Sequence, residues 1–182
     1  MIQDIQLLGF LTGDGWRYQD NYRNYLVGFT QSFRNVDILN HYKLRLQQLG
    51  KVYQKIKVNK NACDIYTKNK QFFKLFGEFL RNLPHSFEVL SEVEKKKFIA
   101  GFIDAEGNVA KDRCRVYNLN YSLLNTIRSF LKELNIHAIL YRDREIWVLE
   151  IKHSNLNRFY KLIRFYSIKL NRLPTCAPYT RA

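Results

Sequence analysis

Two acidic residues hold matching positions in the two halves of this 182-residue chain. Asp14 precedes Gly15 and Glu106 precedes Gly107, each at the end of an apolar segment with helical character. Glycine after a last helical turn is a common cap, but a carboxylate beside it lies at the negative end of the helix dipole, which costs about 0.3–1 kcal/mol. Carboxylates brought together by paired helices also repel each other. The pattern therefore favours a divalent cation such as Mg²⁺, which prefers oxygen ligands and can activate water for attack on a phosphodiester.

Small residues precede both acids at a helical spacing. Gly9 and Gly13 are four positions apart, as are Gly101 and Ala105, so each pair lies on one helix face. Faces made of small residues let two helix backbones approach closely. We expect the two helices to pack against each other along these faces. A plain interface between the halves is the simpler interpretation, but an interface alone does not explain the acids.

The acid-bearing segments belong to a longer internal duplication. Three blocks of the first half recur in the second, namely 8–15 as 100–107, 38–40 as 123–125, and 72–75 as 159–162. Each half has the pattern of a helix, two strands, a helix, two strands and a closing helix. The sequence therefore predicts an α+β fold of two pseudo-symmetric αββαββα halves.

Periodicity and turn residues place the individual elements. They predict strands within 16–31 and 108–118, amphipathic helices with apolar positions from 38 to 49 and from 123 to 134, strand pairs at 51–58 with 62–67 and at 137–141 with 145–152, and closing helices at 69–82 and 154–170. We expect a first half at 1–83, a linker at 84–96 around Pro84, a second half at 97–172 and a loose tail at 173–182.

The chain is strongly basic, with 30 Lys and Arg against 16 Asp and Glu and a formal charge of +14. A compact domain this basic usually binds a polyanion, nucleic acid ahead of a membrane surface. No stretch approaches the roughly 20 apolar residues that span a bilayer, and the N-terminus lacks a signal-peptide pattern. The three cysteines, Cys63, Cys114 and Cys176, are widely spaced. Neither disulfides nor a zinc site is expected, which favours an intracellular, reducing location.

The two acid-bearing segments resemble the motifs of LAGLIDADG homing endonucleases. Residues 98–107 (FIAGFIDAEG) are close to the family pattern, and residues 7–15 (LLGFLTGDG) are a common variant of it. Two motifs in one short chain resemble the single-chain members, which are similar to a fused dimer. The resemblance implies a site-specific, metal-dependent endonuclease that cuts both DNA strands across the minor groove and leaves short 3′ overhangs. It also implies that paired motif helices join the halves and that each half presents a curved antiparallel sheet to the major groove.

The resemblance assigns the metal to the last acid of each motif, which here is Asp14 or Glu106, with help from the backbone carbonyls of Gly13 and Ala105. The implied ion is Mg²⁺ or Mn²⁺, or Ca²⁺ in a non-cleaving complex. The implied partner is double-stranded DNA with a long asymmetric site, bound by a monomer, with intron RNA as a further partner. Because there is no extra length for splicing domains, we expect an intron-encoded protein in the cytoplasm of a prokaryote or in an organelle.

Active sites of this family also contain a polar residue and often a basic one. Gln31 stands where the first half's polar residue is expected, and Asn118 is its counterpart in the second half. The alternative for both is a plain DNA contact or a surface position. Lys43, Lys111 and Arg113 are candidates for the basic residue, although each is more simply explained as a phosphate contact.

One further acid of the second motif has no partner in the first. Asp104 matches the earlier acid of the family pattern, but its counterpart is Thr12. Because of this asymmetry, we interpret Asp104 as helix surface or a local cap.

Basic and aromatic side chains alternate with apolar ones along the predicted strands. A sheet face of this kind can reach base edges in the major groove, although most Lys and Arg side chains contact phosphates. We predict DNA contacts from Arg17, Tyr18, Arg23, Lys51, Tyr53, Lys55, Lys57, Arg113, Arg115, Arg142, Arg144 and Lys152. For any single one of them, a solvated surface charge is the alternative.

Two other functions stay open at this point. Proteins of the same fold that bind without cutting would serve as RNA maturases or DNA-binding regulators, and the presence of both acids favours cleavage over that role. Asp14 and Glu106 could also act as the acid and base of a glycosidase, but the net charge argues against it. Serine and cysteine hydrolase chemistry lacks a supporting nucleophile and histidine arrangement.

Overall fold

The computed structural model describes residues 4–21 and 23–166, which form two halves with the same order of elements. The first half contains α1 (Ile5–Asp14), β1 (Gly15–Gln19), β2 (Tyr25–Ser32), α2 (Val36–Gln47), β3 (Val52–Lys57), β4 (Ala62–Lys68) and α3 (Lys70–Arg81). After a short helix α4 (His85–Glu88), the second half contains α5 (Glu92–Glu106), β5 (Gly107–Val109), β6 (Arg113–Asn118), α6 (Tyr121–Glu133), β7 (Ala138–Asp143), β8 (Ile146–Lys152) and α7 (His153–Leu162). The predicted α+β fold and the αββαββα order of both halves are confirmed.

Each half folds around one four-stranded antiparallel sheet. The strand orders are β1-β2-β4-β3 and β5-β6-β8-β7, so the two sheets have the same topology. Helices α2 and α3 pack on the first sheet, and α6 and α7 pack on the second. One side of each sheet therefore faces helices and core, and we call the opposite side the open face. The open face of the first sheet borders a groove lined by residues of all four strands, among them Trp16, Tyr18 and Lys55.

The helices begin at residues that cap them. The side chains of Asp4, Asn69 and Asn120 accept hydrogen bonds from the first turns of α1, α3 and α6. Ser91 and Glu94 form a capping box, which starts α5 at Glu92. This start, together with α4, places helical structure inside the segment 84–96 that was predicted as a linker.

The chain after α7 differs from the prediction. Helix α7 ends at Leu162, although a helix to residue 170 was predicted. Ile163 and Phe165 are buried and continue into the core, so residues 163–166 follow the core surface as non-helical chain. Residues 167–170, the predicted tail at 173–182 and Cys176 lie outside the described residues.

The core follows the predicted periodicity. In α2, residues Ile38, Leu39, Tyr42 and Leu46 are buried, and in α6 the buried residues are Leu123, Leu124, Ile127, Phe130 and Leu131. The thiols of Cys63 and Cys114 are buried in the same core. Within the part of the chain that the structure describes, each helix is too short or too polar to cross a lipid bilayer.

The two motif helices, α1 and α5, pack directly against each other, as the small residues predicted. A β-carbon at Gly9 would lie 2.0 Å from the carbonyl oxygen of Phe98 in α5, and one at Gly101 would lie 1.9 Å from that of Gln6 in α1. Contacts this short with backbone leave space only for hydrogen. The glycines therefore let the two backbones touch and fix the relative position of the halves.

Replacing Gly101 by Ala is expected to destabilise the protein by about 1–3 kcal/mol, because the new methyl group would overlap the backbone of α1. At an ordinary helical glycine the same substitution has the opposite effect and increases stability by about 1 kcal/mol. Urea unfolding measures the change in the free energy of unfolding. Lys97→Ala, an exposed substitution in the same helix, should stay within about 0.5 kcal/mol of the wild type. A more stable Gly101→Ala variant would rule out the close helix contact.

Candidate active site

The two matched acids meet where the motif helices end. Asp14 is the last residue of α1 and Glu106 the last of α5. A β-carbon built on Gly13 would lie 2.6 Å from the β-carbon of Ala105 and 2.7 Å from Cγ of Glu106. The small residue before Asp14 thus brings the end of α1 against the Glu106 side chain. The helix pairing that joins the halves also brings one carboxylate from each half to a shared site.

The glycines after the acids end the two motif helices, as the sequence predicted, but without the left-handed backbone of many glycine caps. Gly15 and Gly107 have extended backbones and begin strands β1 and β5. A β-carbon would lie 2.2 Å from the carbonyl oxygen of Leu11 at the first and 2.4 Å from that of Ile103 at the second. Glycine is required because the chain turns sharply from helix to strand against its own last turn. Each sheet consequently begins directly beside its acid.

A side-chain amide contacts each carboxylate. Nε2 of Gln31 donates to Oδ2 of Asp14 at 2.9 Å, and Nδ2 of Asn118 donates to Oε1 of Glu106 at 3.2 Å. Both amides lie at the ends of equivalent strands, β2 and β6. Their own carbonyl oxygens accept hydrogen bonds in turn, from Asn35 and from the backbone N–H of Asn120. The structure brings together the four residues that the sequence singled out, and their catalytic roles stay a prediction.

The pKa values of both carboxyls are raised, in each case mainly by burial. Burial, followed by repulsion from Glu106, raises the pKa of Asp14 to about 7, against a weaker lowering by the Gln31 amide. Burial also raises the pKa of Glu106, and the hydrogen bond from Asn118 works against that shift. Perturbed pKa values of this kind cluster at functional sites.

The donor set at the site fits a hard divalent cation. It offers two carboxylates and, at the ends of α1 and α5, backbone carbonyls such as those of Gly13 and Ala105, since the last four carbonyls of a helix lack partners within it. Within residues 4–21 and 23–166, no three or more His, Cys, Asp or Glu side chains cluster as a complete metal cage. Divalent cations such as Mg²⁺ usually keep water ligands and also bind phosphate oxygens, which suits a site with two carboxylates.

Metal binding is expected to depend on pH. Because its pKa is raised, the folded, metal-free protein holds a proton on Asp14 up to about pH 7, and the stability linked to that proton is present below pH 3.8 and lost as the pH rises through about 7. A divalent cation must displace the proton, so its affinity should rise with pH over this range. The increase in melting temperature caused by Mn²⁺ should be larger at about pH 8 than at about pH 6.

The matched control for this experiment is Asp14→Asn, which has no proton to lose at that position. Its response to Mn²⁺ should be smaller and should depend less on pH than that of the wild type. An equal response of the wild type at both pH values would contradict the raised pKa of Asp14.

The strand register shows which of the predicted DNA contacts share an open face. In the first half, Tyr18 pairs with Leu26, and Tyr53 and Lys55 pair with Tyr66 and Asp64 on the side away from the helices. The predicted residues on the open faces are Tyr18, Tyr53, Lys55, Lys57, Arg113, Arg115 and Lys152. Lys51, Arg23 and Arg144 lie at the ends of strands or in turns, where the sheet edges meet solvent.

Two of the predicted DNA contacts, Arg17 and Arg142, do not lie on the open faces. Arg17 pairs with buried Val27 and turns to the helix side, where its Nη1 donates to the carbonyl oxygen of Phe73 at 2.9 Å and its guanidinium stacks on that ring. Arg142 pairs with Trp147 and lies over its ring at 5.8 Å. Both sit on the side of the sheet that the alternation of strand side chains gives to the helices.

The structure also shows open-face residues that the sequence interpretation missed. Asp64 is buried at the centre of the first sheet, where Thr30 donates to it at 2.6 Å and Lys57 forms an ion pair with it at 2.7 Å. Lys68 places its ammonium over the ring of Tyr53. The alternation of side chains in 62–68 could have placed Lys68 on the open face from the sequence alone. The burial of Asp64, in contrast, depends on neighbouring strands.

The interpretation of Asp104 as helix surface or a local cap is wrong. Its side chain is 5% exposed, and its Oδ2 accepts hydrogen bonds from the Tyr42 hydroxyl at 2.7 Å and from the backbone N–H of Tyr166 at 2.9 Å. Tyr42 belongs to the first half and Asp104 to the second. Asp104 therefore ties α5 to α2 and to the chain after α7.

The candidate basic residues make other contacts. Lys43 donates to Gln54 at 3.1 Å, Arg113 pairs with its neighbour Asp112, and Lys111 is exposed in a turn. These contacts do not involve the carboxylate of Asp14 or of Glu106.

Comparison with known proteins agrees with this geometry. A model of the LAGLIDADG-like domain matches residues 94–164. The chain is 28% identical over 180 residues to homing endonuclease I-DmoI of Desulfurococcus mucosus, covering 92% of this chain and 89% of that protein. I-DmoI solved in complex with DNA and Mn has a TM-score of 0.69 at 21% identity, covering 88% of this chain and 94% of that one. Homing endonuclease I-WcaI bound to its DNA recognition sequence has a TM-score of 0.65 at 16% identity, covering 89% and 80%. The chain is thus similar to I-DmoI over most of its length, and its second half matches the LAGLIDADG-like domain.

Proposed function

We propose that this protein is a site-specific homing endonuclease that uses a divalent cation to make double-strand breaks in a long DNA target. The observation that carries the proposal is the meeting of Asp14 and Glu106 at the junction of two pseudo-symmetric halves. The two backbones of a DNA duplex are themselves related by two-fold axes, so one carboxylate per half matches one scissile phosphate per strand.

The surroundings of the acids support this chemistry. Asp14 and Glu106, with the carbonyls of Gly13 and Ala105, would hold the cation. When bound, the cation supplies Lewis-acid stabilisation of an in-line displacement at the phosphodiester. Gln31 and Asn118 each donate to one carboxylate oxygen, which fixes the carboxylates in place before DNA arrives.

The open faces support binding of the duplex on both sides of the acids. Both sheets begin at the acids and extend away from them, because Gly15 and Gly107 start β1 and β5. The open faces carry Lys, Arg and Tyr side chains, and the chain as a whole has a charge of +14. Lys and Arg neutralise phosphates and position the duplex, while planar and hydrogen-bonding side chains read base edges.

The metal, the assembly and the setting complete the proposal. I-DmoI has been solved with DNA and Mn and with DNA and Ca, which supports a divalent cation here, and we propose Mg²⁺ as the native ion. The protein acts as a monomer, because one chain supplies both acids and both sheets. It is encoded by an intron and acts on DNA inside the cell of a prokaryote or in an organelle, with intron RNA as a second partner.

Incubation with a randomised duplex library, with and without Mg²⁺, tests the proposal when the cut ends are sequenced. We expect Mg²⁺-dependent cuts at one long asymmetric site, with short 3′ overhangs. Specific binding without cuts would replace the proposal with a DNA-binding regulator, and absence of both would point to structured RNA as the partner.

A further inference from the structure

One arginine on the open face of the second sheet is held by a buried acid on the neighbouring strand. Arg115 lies in the middle of β6, directly across from Glu150 of β8. Its Nε donates to Oε2 of Glu150 at 2.6 Å, and the Tyr141 hydroxyl of β7 donates to the same oxygen at 3.0 Å. The Glu150 side chain is 9% exposed, whereas 32% of the Arg115 side chain reaches solvent. Three neighbouring strands thus hold one guanidinium in a fixed position.

The anchoring uses only part of the guanidinium. A guanidinium is a rigid planar group with five N–H donors, and the bond to Glu150 occupies the Nε donor. The Tyr117 side chain also hydrogen-bonds the guanidinium, and N–H donors of the terminal nitrogens are left for a base. Two parallel donors on one edge match the O6 and N7 acceptors of guanine in the major groove.

The buried acid argues against a role in phosphate binding. Glu150 cancels the positive charge of Arg115 in its surroundings, and the hydrogen bond from Arg115 holds the pKa of Glu150 below its usual range, so the acid stays ionised. A residue that attracts phosphate gains from an uncompensated charge. An anchored guanidinium is already held in one orientation. It therefore loses less side-chain entropy when it bonds to a base, and its position is better defined.

The arrangement is specific to the second half. Gly28 occupies the place of Arg115 in the first sheet, where it pairs with Tyr66 of β4. The second half therefore carries a fixed arginine where the first half has none, which suits the reading of an asymmetric target.

We propose that Arg115 reads a guanine in the half of the DNA target bound by the second sheet, with Glu150 and Tyr141 as its positioning residues. This inference rests on the proposed function and adds the identity of one base to it. Arg115 determines specificity at that base pair and makes little contribution at others.

The test compares cut-site profiles from a duplex library for the wild type, Arg115→Lys and Arg113→Lys. Both substitutions keep the charge, and Arg113 lies on the same open face but pairs with its exposed neighbour Asp112 instead of a buried acid. For the wild type we expect a strong guanine preference at one position on one side of the cut. Arg115→Lys should reduce discrimination there by about 10- to 100-fold and leave other positions unchanged, whereas Arg113→Lys should keep the preference.

A second variant tests the anchoring separately. Glu150→Gln leaves Arg115 in place but weakens its anchor, and it should lower the guanine preference at the same position. Thermal unfolding of each variant shows whether the fold is retained, and sequencing of the fraction bound in Ca²⁺ gives the profile where cutting is slow. An unchanged profile for Arg115→Lys, or a uniform loss at all positions, would overturn this inference while cleavage by the wild type still upholds the proposed function. Failure of the wild type to cut would overturn the function itself.

Discussion

Replacing Asp14 by Asn, or Glu106 by Gln, is expected to reduce double-strand cleavage by about 10³-fold or more, because each change removes one charged ligand from the proposed metal site. The substitutions keep side-chain size and leave a group that can still bond to Gln31 or Asn118. They also relieve the repulsion that raises the pKa of Asp14, so the fold should be retained. Strand-resolved cleavage of the selected target, by gel electrophoresis with each strand labelled, measures the loss.

DNA binding by these variants should be as tight as that of the wild type or slightly tighter, since each change removes a negative charge. Asp37→Asn is the matched control for charge, because Asp37 is exposed in the first turn of α2. That variant should cleave like the wild type. Cleavage of both strands at the wild-type rate by either active-site variant would exclude the assignment of the two acids.

Affinity for the DNA target is expected to fall by about 10³- to 10⁵-fold between about 50 mM and about 200 mM salt, if about six to ten phosphates are neutralised. The expectation rests on a charge of +14 and on the lysines and arginines of the open faces. Fluorescence anisotropy in Ca²⁺, with the divalent concentration held constant, gives the slope of log affinity against log salt.

Substitutions of single lysines show how much each one contributes to the salt dependence of DNA affinity. Lys152→Gln, on the open face of the second sheet, should lower the slope by about one unit and weaken all sequences alike. Lys57→Gln should have a smaller effect, since the Lys57 charge is already paired with Asp64. An affinity that hardly changes with salt would contradict the DNA-binding surface.

The sequence was sufficient for the features that depend on local spacing. The small residues at positions 9, 13, 101 and 105 predicted helix packing that the glycine contacts confirm. The duplication predicted two halves with the same elements, and the period of the apolar residues predicted which faces of α2 and α6 are buried. The family resemblance predicted Gln31 and Asn118 as polar residues of the site, and in the structure both side-chain amides contact the acids.

What the sequence missed depends on contacts between distant elements. Arg17 and Tyr18 are adjacent in β1, so only one of them can share the open face, and the register with β2 decides which. The burial of Asp104 follows from Tyr42 in the other half and from the chain after α7. The anchoring of Arg115 requires β6, β7 and β8 to be aligned, and spacing within one strand carries no information about that alignment.

The most direct test of the central claim is the anomalous scattering of Mn²⁺ in crystals of the protein with its DNA target. We predict a peak within coordination distance of both Asp14 and Glu106 and adjacent to the scissile phosphates. Peaks that contact neither carboxylate, in crystals where the DNA is bound and cut, would contradict the claim that these two acids hold the catalytic metal.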